Sequence, residues 1–150
     1  MTAPEPAGGH IVVGVDGSAA SKAALRWAIR QAQLTGAVVD AVTAWQSPPS
    51  FAWISEGATG VGDYRAEAHR ILAAAVEETG GVEAGVEIEP WVQEGHPAHV
   101  LIEASRGAQL LVVGSHGHGG FAAALLGSVS HNCVHHASCP VLVIHEKTGR

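Results

Sequence analysis

Five strand signals, four short and largely apolar runs and one alternating segment, mark this chain, and the stretches between them carry apolar residues at helical spacing. Ile11 to Val15 is apolar throughout, as a parallel strand buried on both faces requires. Ser18 then offers a side-chain acceptor for a helix start, and that helix is expected to reach about Thr35 and close at Gly36. Val38 to Trp45 predicts a second strand. Residues 46–62, rich in proline, serine and glycine, predict a long loop. Asp63 is the expected cap of the next helix, where Ala68, Ile71, Leu72, Ala75 and Val76 recur on one face until Gly80 and Gly81 stop it. Val86, Ile88 and Val92 alternate with Glu87, Glu89 and Trp91 around Pro90, the pattern of an edge strand. Pro97 suits the first turn of a helix running to Arg106, with Gly107 as its cap. Leu110 to Val113 predicts a fourth strand, residues 125–137 a helix, and Val141 to Ile144, opened by Pro140, the last strand.

Strands alternating with helices require crossover connections, and hence one parallel sheet. The expected fold is a single α/β domain over residues 10–147, behind a disordered tail over 1–9. Its core is an open, parallel, five-stranded, Rossmann-like sheet with helices on both faces. Ligands of such sheets bind outside the carboxyl ends of the strands, where the strand order reverses. Two strand ends carry unusual chemistry, Gly14 to Ser18 and Gly114 to Gly120, and they are expected to be neighbours.

Composition narrows the class. With 150 residues and 47% apolar content the chain can bury one sizeable core, which excludes a disordered protein. Its longest apolar runs are far short of the roughly 20 residues that a membrane span needs. The first ten residues lack the basic and apolar regions of a secretory signal, so a cytoplasmic protein is expected, with Cys133 and Cys139 as buried thiols rather than a disulfide. A net charge of −6 with 8 Lys+Arg argues against nucleic acid as a partner.

From Gly107 to His145 the sequence has no Asp, Glu, Lys or Arg, yet it has six histidines. Within that stretch glycines let backbone N–H groups approach an anion, and a helix amino terminus adds partial positive charge. Phosphate binding is the reading these features favour over an ordinary tight turn. Candidate contacts are Gly14 and Asp16 at the first strand end and Gly114, Ser115, His116, Gly117, His118, Gly119 and Gly120 at the other. Gly127, Ser128, Val129 and Ser130 follow where the next helix begins. The lysine-bearing phosphate loop and the Gly-x-Ser-x-Gly elbow of hydrolases are both missing from the sequence.

Gly114-x2-Gly117-x9-Gly127-Ser128 resembles the nucleotide-binding signature of the universal stress protein family. The opening Val13 to Ser18, Leu125 to Ser130 and the His135 to Val141 segment are similar to that family as well, so the resemblance covers residues 10–145. It implies a sheet order of 3-2-1-4-5 and a homodimer paired through the fifth strand. It also implies an adenine nucleotide as ligand, ATP with Mg or Mn or, as the alternative, AMP or a cyclic nucleotide: Asp16 by the ribose, a backbone group of Ala44 at the adenine edge, and the glycine loop with the Gly127–Ser128 turn around the phosphates. His118 stands where many relatives carry arginine, which leaves a histidine as the candidate cation.

Other constellations are weaker. His131 and His135, four apart with His136 adjacent, have a spacing that suits zinc, but with no third ligand nearby in sequence a solvated face is expected and no metal site. Lys22, Arg26 and Arg30 read as a solvated stripe, and Phe51 and Trp53 as packing or as a cover for a bound base. Gly117-x-Gly119-x-x-Ala122 fits a dinucleotide fingerprint, but that motif normally opens the first unit of a larger domain. A pure interaction module is the third class. Without a Lys, Arg or carboxylate in the glycine loop, binding with at most slow ATP hydrolysis is expected, as in a stress sensor or switch rather than an enzyme.

Overall fold

The computed structural model describes residues 6–47, 61–116 and 127–146, with only the backbone at 61 and 62. The element order is β1 (His10–Gly14), α1 (Ala19–Thr35), β2 (Val38–Trp45), α2 (Val61–Thr79), β3 (Ile88–Glu94), α3 (Pro97–Ala104), β4 (Leu110–Gly114), α4 (Ser128–His136) and β5 (Val141–Ile144). All sheet pairings are parallel, in the order β3-β2-β1-β4-β5. Among the described residues β3 is an edge, which leaves Pro90 opposite Ala41 with no described strand on its other side to miss its N–H.

Successive residues of the inner strands point to opposite faces, and both faces are covered, so these strands are apolar without alternation. Ile11, Val13, Val39, Ala41 and Val112 pack under Leu25, Ala28 and Ile29 of α1 and Leu72 and Ala75 of α2. Val12, Val42, Leu111 and Val113 face Val100 and Leu101 of α3 and Cys133 of α4. Arg26 and Arg30 are exposed, while Lys22 reaches Glu78 of α2 at 3.1 Å.

Three helices differ from expectation at their ends. α2 begins at Val61, and Asp63 lies inside its first turn. A carboxylate is favoured both as a cap and within the first turn, where it meets the positive end of the helix dipole, so the residue type fits either position. α3 ends at Ala104 rather than Arg106. The buried Ser105 hydroxyl donates to the Ile102 carbonyl at 3.0 Å, and Arg106 N–H and Ala108 N–H bond three residues back, which winds the chain tighter before Gly107 turns left-handed at φ +79°. α4 spans Ser128–His136, inside the expected 125–137. Residues 48–60, which include Phe51 and Trp53, lie outside the described residues, as does the fingerprint at 117–122.

Candidate functional site

The strand order reverses between β1 and β4, so the crevice outside their carboxyl ends is the position to inspect. Glycine brings the two ends together. A Cβ on Gly114 would stand 2.8 Å from the Ala20 Cβ and 2.9 Å from the Ala20 carbonyl carbon, so the end of β4 sits directly on the first turn of α1. A Cβ on Gly14 would meet Leu101 Cδ1 at 2.7 Å. Gly114, packed on backbone, demands glycine for this close approach, whereas at Gly14 the neighbour is the end of a leucine side chain.

The β1–α1 turn is closed by its own side chains. Val15 N–H donates to the Val42 carbonyl at 2.8 Å, which continues the β2 contact past the strand. Asp16 Oδ1 accepts from Ser18 N–H at 2.9 Å, and Ser18 Oγ accepts from Ser21 N–H at 3.2 Å as the N-cap of α1. Ser21 Oγ donates to the Ser18 carbonyl at 3.1 Å and accepts from Asp16 N–H at 3.3 Å. Gly17 sits at φ +84°. Asp16 is thereby held in a fixed turn with its side chain exposed beside the crevice.

The β4–α4 connection is built differently. Ser115 N–H donates to the Ile144 carbonyl at 2.8 Å, and Gly127 N–H returns to the Ser115 carbonyl at 2.6 Å. The buried Ser130 hydroxyl donates to the Ser115 carbonyl at 3.0 Å and lies 3.1 Å from the Gly127 carbonyl. Ser115 Oγ and His116 Nδ1 are 3.1 Å apart. A Cβ on Gly127 would stand 3.1 Å from His116 Cα, so glycine lets α4 start against the strand end. Gly127 is the N-cap of α4 and makes no side-chain cap. The first amides of a helix lack intrahelical acceptors, and with no side-chain cap among the described residues they are suited to meet an anion with dipole and donors.

Of the expected contacts, Gly14, Asp16, Gly114, Ser115, His116 and the Gly127–Ser130 segment gather around this crevice. Ser128 is exposed there, Val129 half-buried, and Ser130 turned inward. Ala44 is half-buried near the end of β2, one strand away from β1. Gly117, His118, Gly119 and Gly120 lie outside the described residues. Sequence reasoning passed over Ser21, which ties Asp16 to the helix start; its spacing three residues after Ser18 was the available signal.

Away from the crevice, His10 Nδ1 and Asp40 Oδ2 are 2.9 Å apart. Burial pushes the Asp40 carboxyl above the usual carboxylate range, opposed by His10. Burial, with Cys139 nearby, pushes the Cys133 thiol up to about 11; both cysteines are free, but Cys139, at the entry to β5, is only half-buried rather than buried as expected. Among the described residues no helix is long and apolar enough to cross a membrane.

The family model described as Universal stress protein family matches residues 9–145. The chain belongs to the universal stress protein family. A universal stress protein of Mycolicibacterium smegmatis is 38% identical over 143 residues, covering 90% of this chain and 47% of the relative. The chain thus spans about half the length of the curated relatives it matches. Among solved structures, a universal stress protein in complex with cAMP is 29% identical, with a TM-score of 0.69 over 94% of this chain and 99% of the other. A universal stress protein from Archaeoglobus fulgidus in complex with dAMP is 25% identical, with a TM-score of 0.69 over 94% and 98%. This universal stress protein domain therefore shares its architecture with relatives that hold adenine nucleotides.

Proposed function

We propose that this universal stress protein domain binds an adenine nucleotide in the crevice outside β1 and β4. The phosphates lie on the amino terminus of α4, the ribose by Asp16 and the adenine edge by the backbone of Ala44. The start of α4, without a side-chain cap among the described residues and seated against the strand end by Gly127, carries this reading. The complexes of relatives with cAMP and dAMP support it.

Within that class, ATP is the proposed ligand. The loop sequence brings no Lys or Arg between 107 and 145, so backbone dipoles and hydroxyls must hold the phosphates. Oxygen donors of Asp16 and Ser128 stand at the crevice and suit a magnesium or manganese ion, which when bound would offset phosphate charge. Binding proceeds without efficient turnover: Asp16 is engaged in the helix-start turn, and an orienting histidine alone is a thin catalytic set. The domain then acts as a sensor or switch in the stress response. Free cysteines fit a reducing cytoplasm. β5, an edge strand whose residues are all partly exposed, supports a homodimer through that strand.

Calorimetric titration with ATP, AMP, cAMP and NAD tests the reading. Saturable heat with ATP is expected, tighter than with the monophosphates. Preference for AMP or cAMP would move the ligand within the class, and heat with NAD alone or with none would remove it.

A further inference from the structure

His131 and His135 stand four residues apart on α4, so their side chains leave the helix on one side, one turn above the other. Both residues are exposed, and their rings approach each other with centroids 4.5 Å apart and planes inclined by 53°. A cation about 2.0–2.1 Å from one nitrogen of each ring, with its two bonds at roughly a right or tetrahedral angle, holds the ring centres about 4.5–5 Å apart. The observed spacing falls in that window. The tilt of 53° is intermediate between the offset-parallel and edge-to-face arrangements of ring pairs. His136 lies outside the window, its ring centre 6.2 Å from that of His135. The intervening Asn132 is turned away to donate to the Ser128 carbonyl at 2.9 Å. His131 N–H bonds to the Gly127 carbonyl at 2.9 Å, so the helix fixes the spacing of the pair before any ion arrives.

We propose that His131 and His135 form a two-point site for a borderline divalent transition-metal ion, zinc, nickel or copper, with water completing its coordination. Imidazole suits these ions, whereas magnesium and calcium take oxygen ligands. Among the described residues no third His, Cys, Asp or Glu joins the pair in a metal-holding group, and the site is built on these two imidazoles. It is separate from the nucleotide reading, because it rests on the two imidazoles alone.

The test uses the full chain, stripped of metal by a chelator, then titrated with Cu(II) and Zn(II) by calorimetry and followed for Cu(II) by electron paramagnetic resonance. One ion per chain is expected in the tightest phase, with nitrogen couplings from imidazole and no heat from Mg(II). His131→Ala and His135→Ala should each weaken that phase about ten-fold or more. His99→Ala, an exposed histidine on α3, should leave it unchanged. Both sites are exposed, and circular dichroism checks that the variants are folded. No tight phase in the wild type, its survival in either α4 variant, or an equal loss in His99→Ala would overturn the assignment.

Discussion

Two strand-to-helix turns meet at the centre of this molecule and solve the same problem in opposite ways. The β1–α1 turn satisfies itself: Ser18 caps the helix, Asp16 accepts the Ser18 N–H, and Ser21 closes the loop from below. The β4–α4 connection uses the Ser130 hydroxyl to hold the strand end and starts its helix at Gly127, which has no side chain to cap it. A helix dipole costs little where a cap answers it and becomes a binding device where none does. The first turn is a scaffold that presents Asp16; the second is proposed to hold the charge.

Giving α4 the cap that α1 already has should have the largest effect. Gly127→Asp places a carboxylate on the amides proposed for phosphate, and nucleotide affinity should fall about 100-fold or more, roughly 3 kcal/mol. Gly127→Ala carries the same crowding against His116 Cα without the charge, so it should lose much less. Equal losses in the two variants by calorimetry would reduce the difference between the turns to sterics.

The anchors beneath the two helices also differ. α1 rests on Leu25, Ala28 and Ile29, none of which titrates, whereas α4 rests on Cys133. The folded state holds the Cys133 thiol protonated from about 9 up to about 11, while the unfolded chain releases its proton at the lower value. The folded form therefore binds more protons in that window, and stability must fall as pH rises through it. A loss of about 2–3 kcal/mol is expected in urea melts between these pH values. Cys133→Ala should flatten the slope, and an unchanged slope would place the titration elsewhere.

Ser128→Ala removes an exposed hydroxyl from the start of α4. If it donates to a phosphate oxygen, affinity falls about 10- to 150-fold, or 1.5–3 kcal/mol. The smallest effect belongs to the other turn. Ser18→Ala should cost about 1 kcal/mol of stability as a lost cap, and should leave nucleotide affinity nearly unchanged. A large affinity loss in Ser18→Ala would mean that the two turns are not divided as described.

Much of this was legible from the chain because burial on two faces leaves a plain mark. β2 and β5 coincide with their apolar runs, α1 ends at Gly36 in a left-handed conformation, and Pro90 pointed to an edge. Helix ends were less legible. Asp63 serves equally as cap or first-turn residue, and the Ser105 hydroxyl, which tightens the end of α3, has no signature in a pattern of apolar spacing. Within the site, residue types marked the crevice but not the direction of each hydroxyl. Ser128 and Ser130 read alike in sequence, yet one is exposed and the other turns inward to the Ser115 carbonyl. Asp40 in an apolar strand also gave no hint of its partner, because His10 reaches it from a neighbouring strand.

The central claim is that α4, and not α1, receives the phosphates. Amide-resolved nuclear magnetic resonance during an ATP titration tests it directly. The largest shifts should appear at the backbone N–H groups of Ser128, Val129 and Ser130, with a smaller change at Asp16 and little at Ala19 to Ser21. Saturable binding that moves the amides of Ala19 to Ser21 and leaves the start of α4 unperturbed would contradict the account.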